Sequence, residues 1–109
     1  MAIGEIIRAA VLPIIPICDP GTYLGDEAEY TVYNFTEMPD DYGDDAPQAM
    51  RYLVQLHWYL PLGVNPTDKK RRLRQALHGA GLTYPTVVDS STLTALHCVV
   101  ECEGCDGDV

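Results

Sequence analysis

Positive charge is scarce in this chain. Seven Lys and Arg stand against 16 Asp and Glu, for a formal net charge of −9. Affinity for a nucleic-acid backbone rests on clustered cations that displace counterions, so this balance argues against it as a general property. Long apolar runs are missing as well. The longest, residues 9–18, is broken by Pro13 and Pro16, and it falls short of the roughly 18–20 residues that span a membrane. Glu5 and Arg8 sit where the apolar core of a secretory signal would begin. A soluble product made in a cytoplasm is therefore expected.

Catalytic signatures are absent too. The sequence has no GxSxG, no GxxxxGK[ST], no GxGxxG and no HExxH. Its acidic middle lacks the residue order and the final glutamate of a calcium-binding EF-hand loop. No base, nucleophile and oxyanion donor can be named together. The expectation is a protein that is not an enzyme and carries no cofactor.

Four cysteines are present, Cys18, Cys98, Cys102 and Cys105. Three crowd the C-terminal end, unlike the dispersed framework of a disulfide-stapled secreted domain. Cys102-x-x-Cys105 has the spacing of half a zinc site, with His97 and Cys98 nearby. A closed structural site needs four ligands, and no second CxxC or HxxxH exists. Cys98 and Cys102 also alternate onto an apolar strand face, where a free cysteine behaves as a small hydrophobe. Packing is the preferred reading of these thiols, with no metal expected.

With 109 residues, 47% of them hydrophobic, the chain suits one domain over residues 1–109. Residues 2–11 predict a short amphipathic helix, because Ile3, Ile6, Ile7 and Ala10 recur on one helical face. Pro13 ends it. Residues 29–35 predict a strand from their Tyr, Thr, Val and Phe. Residues 36–48, rich in acids and prolines, predict a mobile solvated loop. Residues 51–60 predict the clearest strand, with Tyr52, Val54, Leu56 and Trp58 on one face. Asn65 as N-cap, Pro66 at the first turn and Asp68 after it predict a helix start. Lys69, Leu73, Ala76, Leu77 and Ala80 share one stripe of that helix, and Gly81 is its left-handed cap. Residues 83–88 predict a short strand. Residues 93–103 predict a long one with Thr94, Leu96, Cys98, Val100 and Cys102 facing the core, and residues 104–109 a frayed tail. The fold class is therefore α+β: a small, mostly antiparallel sheet of about four strands flanked by two helices, in the order α-β-β-α-β-β.

Charge is also segregated. Asp26, Glu27, Glu29, Glu37, Asp40, Asp41, Asp44 and Asp45 are half of the acids, while Lys69, Lys70, Arg71, Arg72 and Arg74 are five of the seven cations. Four consecutive cations on a helix span more than one turn, so a solvated surface is the plain reading and a subunit or DNA contact the minority one. His57 and His97 fall on the faces of their strands opposite the core, together with Glu101 and Glu103. If the strands are neighbours, the two rings meet.

The ordered combination resembles a known family. An amphipathic N-terminal helix and a proline-broken connection lead to Tyr30-Thr31-Val32-Tyr33-Asn34-Phe35. An acidic stretch ending near Asp44-Asp45-Ala46-Pro47 precedes Tyr52-Leu53-Val54-Gln55-Leu56-His57-Trp58-Tyr59. A helix with a Lys/Arg-rich start closes on Leu77-x-x-Ala80-Gly81-Leu82, and the last strand carries His97-x-x-x-Glu101. Over roughly residues 3–103 this resembles the small tail-terminator, tail-completion and minor tail proteins of long-tailed bacteriophages. The resemblance implies an antiparallel sheet flanked by helices and a ring, usually hexameric, that caps the tail tube, stops its growth and joins it to the head. It implies as partners further copies of the chain, the tail-tube protein and head–tail connector proteins, with no sequence-specific nucleic-acid binding and no membrane. The place implied is the virion's head–tail junction, after synthesis in a bacterial host. It brings no catalytic residue and no cofactor. Another connector component, such as a head-completion or stopper protein, is the nearest alternative. Outside that class stands a small cytoplasmic module holding zinc through His97, Cys98, Cys102 and Cys105. In a ring, Asp40, Asp41, Asp44 and Asp45 would meet the basic residues 69–74 of a neighbour, or would line the lumen.

Overall fold

The computed structural model describes residues 2–43 and 46–106, with residues 39–43, 46–49, 105 and 106 described by backbone alone. The elements are α1 (Ile3–Val11), β1 (Cys18–Pro20), β2 (Tyr30–Gly43), β3 (Ala46–Leu60), α2 (Thr67–Gly79), β4 (Thr86–Asp89) and β5 (Leu96–Asp106). They form a small α+β fold with one five-stranded mixed sheet in the spatial order β1-β2-β3-β5-β4. The sequence-based expectation of about four antiparallel strands is corrected at β1. Three residues there pair in parallel with β2, through Cys18↔Thr31, Asp19↔Val32 and Pro20↔Tyr33. Thr31 donates its backbone N–H to the Ile17 carbonyl at 3.0 Å, and Gly21 donates to the Tyr33 carbonyl at 2.9 Å. The other pairings are antiparallel.

A second correction concerns the acidic stretch. Residues 36–43 and 46–48, expected as a mobile loop, continue the β2–β3 ladder from Thr36↔Leu53 to Gly43↔Ala46. Ladder hydrogen bonds join backbone to backbone and do not require apolar side chains. Asp44 and Asp45 lie outside the described residues. The expected fraying of residues 104–109 is corrected in part as well: Gly104, Cys105 and Asp106 pair with Tyr52, Arg51 and Met50, and residues 107–109 lie outside the description.

Core placement follows the strand period of two. Val54, Leu56, Trp58 and Leu60 of β3 are buried beside Cys98, Val100 and Cys102 of β5 and Tyr33 of β2. Both helices pack on this face. Ile7 and Val11 of α1 and Leu73 and Leu77 of α2 close the cluster, each large side chain contributing about 1.5–3 kcal/mol on burial. Trp58 is fully buried. Its Nε1 donates to Glu29 Oε2 at 3.1 Å, while Lys69 Nζ donates to Glu29 Oε1 at 2.7 Å. One carboxylate thus ties α2 to the central strand.

The helix ends agree with their residues. Asn65 Oδ1 accepts from the Thr67 backbone N–H at 3.0 Å and from the Thr67 hydroxyl at 2.7 Å. At the other end of α2, Gly81 adopts φ +100°. Its N–H donates to the His78 carbonyl and the Leu82 N–H to the Leu77 carbonyl, which satisfies the last turn's acceptors in a Schellman arrangement.

Candidate functional site

Because α1 and α2 share one side of the sheet, no described element covers the other. This open face carries the alternate residues of each strand. From β3 come Leu53, Gln55, His57 and Tyr59, from β5 His97, Val99, Glu101 and Glu103, and from β2 Tyr30, Val32, Asn34 and Thr36.

A row of rings crosses one end of the face. Tyr23 lies 4.6 Å from Tyr30, Tyr30 stacks on Tyr59 at 4.8 Å, and Tyr59 stacks on His97 at 4.2 Å, all between ring centroids. The row ends in the histidine pair that the strand phases made conceivable. His57 Nδ1 and His97 Nε2 are 3.0 Å apart, so one ring donates and the other accepts. His57 sits between Val32 and Val99 in the two ladders, and both valines are buried although they face outward. Burial holds the His97 pKa below its ordinary value, and the His57 charge adds to that. Asp89 acts in the opposite direction.

The other end of the face is polar. Asn34, Thr36, Leu53, Gln55, Thr86 and Glu101 line a shallow groove of about 530 Å³, with Glu103 and Tyr84 also on its wall. Glu101 and Glu103 are exposed.

The cysteines lie elsewhere. Cys98 and Cys102 point into the core with Cys18, all three as free thiols. Burial raises the pKa of each, Cys102 to about 11. His97, by contrast, faces the open side. Strand alternation thus separates His97 from Cys98 and Cys102 and breaks the four-ligand zinc set. Among the described residues no three His, Cys, Asp or Glu side chains are placed to hold a metal ion. The side chain of Cys105 lies outside the description.

The basic run divides by position on α2. Lys69 is half-buried against Glu29, and Lys70 is half-buried beside a hollow shared with Asp89 and Cys98. Arg74 has its Nε buried without a described hydrogen-bond partner. Arg71 and Arg72 are exposed, with Arg71 held to Asp68 at 2.6 Å. Of the acidic candidates, Asp40 and Asp41 sit on β2 at the level of the backbone, while Asp44 and Asp45 lie outside the described residues. The basic run of α2 therefore lies on the helix-covered side of the sheet, while Arg51 stands on β3 in phase with the uncovered face.

The ring row and the Glu29 clamp went unread in the sequence. Their signal was present for the row, since Tyr30 and Tyr59 fall on outward positions of two candidate strands. For Glu29 no local signal existed, because its partners lie 29 and 40 residues away. No helix among the described residues is long and apolar enough to cross a membrane. Neither a comparison with models of known protein families nor a comparison with curated proteins returned a match.

Proposed function

We propose that this chain is a virion structural protein that forms a ring on the end of a completed phage tail tube, ends tube polymerisation and joins the tail to the head. One observation carries the reading: α2, on the helix-covered side, presents Arg71 and Arg72 exposed, and the groove on the uncovered side carries Glu101 and Glu103 exposed. Complementary patches on opposite sides suit head-to-tail association, which closes into a ring when the rotation between subunits permits. The net charge of −9 suits a passage through which DNA moves without adhering. The β2–β3 hairpin, in a molecule of 54 × 26 × 23 Å, supplies reach toward a second protein. The partners are further copies of the chain, the tail-tube protein and the head–tail connector. No residue takes a catalytic role and no cofactor is needed.

The test is the mass of the reduced protein across a wide concentration range by light scattering, with electron micrographs of the chain added to growing tail tubes. Closed rings of about six copies seated on tube ends, with tube growth arrested, are expected. Tubes that lengthen unchanged and carry no added density at their ends overturn the reading. Neutralising Asp40, Asp41, Asp44 and Asp45 together then separates two roles for the hairpin. Loss of rings assigns it to the subunit interface, and intact rings that transmit DNA poorly assign it to the lumen.

A further inference from the structure

The uncovered sheet face is open to an occupant, and its chemistry narrows the choice. Its exposed charged side chains in the groove are Glu101 and Glu103, set among the neutral polar groups Asn34, Thr36, Gln55 and Thr86. Apolar area adjoins them: Val88 is 48% exposed and Tyr84, at the rim, 56%. Two such faces stacked on each other would oppose carboxylates with carboxylates. Nucleic acid would be repelled for the same reason. A surface with paired guanidinium groups fits, since Arg binds carboxylates through two parallel hydrogen bonds.

The chain carries such a surface itself. Of its seven cations, five lie in residues 69–74. Arg8 is engaged with the Cys18 carbonyl, and Arg51 has its Nε buried. Lys69 is committed to Glu29. Arg71 and Arg72 remain exposed and adjacent. The Asp68 partner of Arg71 offers little resistance to exchange, because both side chains are about two-thirds exposed, at 66% and 65%, and exposed pairs of this kind contribute little.

We infer that the groove around Glu101 and Glu103 of one copy receives Arg71 and Arg72 on α2 of a second copy. This deepens the ring reading and rests on it. Donor and acceptor lie on opposite sides of the same sheet, so the contact is heterologous. Each copy uses its helix toward one neighbour and its open sheet face toward the other, and association continues until the ring closes.

The experiment is sedimentation velocity on the full chain over a wide concentration range. Two double variants are compared with the parent, E101Q/E103Q and R71Q/R72Q. Each variant alone is expected to weaken self-association at least ten-fold. An equimolar mixture is expected to give a one-to-one dimer and nothing larger, because one variant keeps only its helix surface and the other only its groove. The charge-swapped pair E101K/E103K and R71E/R72E, each deficient alone, is expected to regain higher assembly when mixed. Far-ultraviolet circular dichroism and the emission of the single tryptophan show that each variant is folded. Association of folded variants equal to that of the parent overturns the inference, as does a strictly monomeric parent. Tail-tube binding is scored separately. Parent rings insensitive to these substitutions retire this interface and leave the terminator reading standing. Head-to-tail assembly without tube binding does the reverse.

Discussion

Tyr59 of β3 lies nearly flat against His97 of β5, with ring centroids 4.2 Å apart and planes inclined by 13°. The two residues are direct partners across the ladder. Stacking on one side and the His57 ring on the other leave the His97 imidazole half-buried. That placement links the open face to pH.

Acidification should destabilise the protein through this pair. The folded-state pKa of His97 is lowered, mainly by burial, while the unfolded chain titrates near the usual value of about 6.5. Between those values the unfolded state binds more protons, so stability is full above about pH 6.5 and declines as pH falls through the folded value. Urea midpoints measured from pH 8 to pH 5 should fall for the parent, and less steeply for His97→Gln. An equal slope in both proteins would locate the dependence elsewhere.

Removing the Glu29 carboxylate should weaken the fold at its centre. Glu29→Ala strips the fully buried Trp58 of its acceptor and frees Lys69 from its partner. Leaving a buried donor unsatisfied costs about 1–3 kcal/mol. Glu29→Gln retains an acceptor oxygen and should cost less. The single tryptophan reports both unfolding curves directly.

Three thiols should be inert in the native state. Cys18, Cys98 and Cys102 are buried, and the Cys102 pKa is raised to about 11, so at pH 8 its thiolate fraction is on the order of 0.1%. In a Cys105→Ser variant, an aromatic disulfide reagent should release almost no colour until denaturant is added, then report three thiols. A fast-reacting native thiol in that variant would contradict the burial described.

Two neighbouring glycines should respond with opposite sign. Gly79 closes α2 with open space where a Cβ would stand, so Gly79→Ala should stabilise by about 0.4–1 kcal/mol by restricting the unfolded chain. Gly81 stands at φ +100°, where a side chain is strained. Gly81→Ala should therefore destabilise by about 1–2 kcal/mol. Thermal denaturation of the two variants side by side checks the contrast.

Much of the frame was legible because its signals are local. Alternation along residues 51–60 and 93–103 placed Trp58, Leu56, Cys98 and Val100 on the core face without reference to any other element. Asn65, Pro66 and Gly81 marked the ends of α2, since caps act within a turn. Other features had no local expression. β1 contains an aspartate and a proline and becomes a strand only because β2 offers an edge to Ile17 and Gly21. The acidic residues 36–43 read as loop because composition reports side-chain preference, whereas strand continuation there is set by backbone pairing with β3.

The sequence by itself determined the α+β class, the inward and outward faces of the two central strands, the α2 caps and the separation of acidic from basic residues. Each depends on neighbours within a few positions, or on counting alone. Only the tertiary structure decided that both helices share one side of the sheet, that Glu29 joins Trp58 to Lys69, and that rings 23, 30, 59, 97 and 57 form one row. It also decided that His97 parts company with Cys98 and Cys102. Those outcomes depend on which strands become neighbours and at what register, and strand pairing is settled by contacts between residues far apart in the chain.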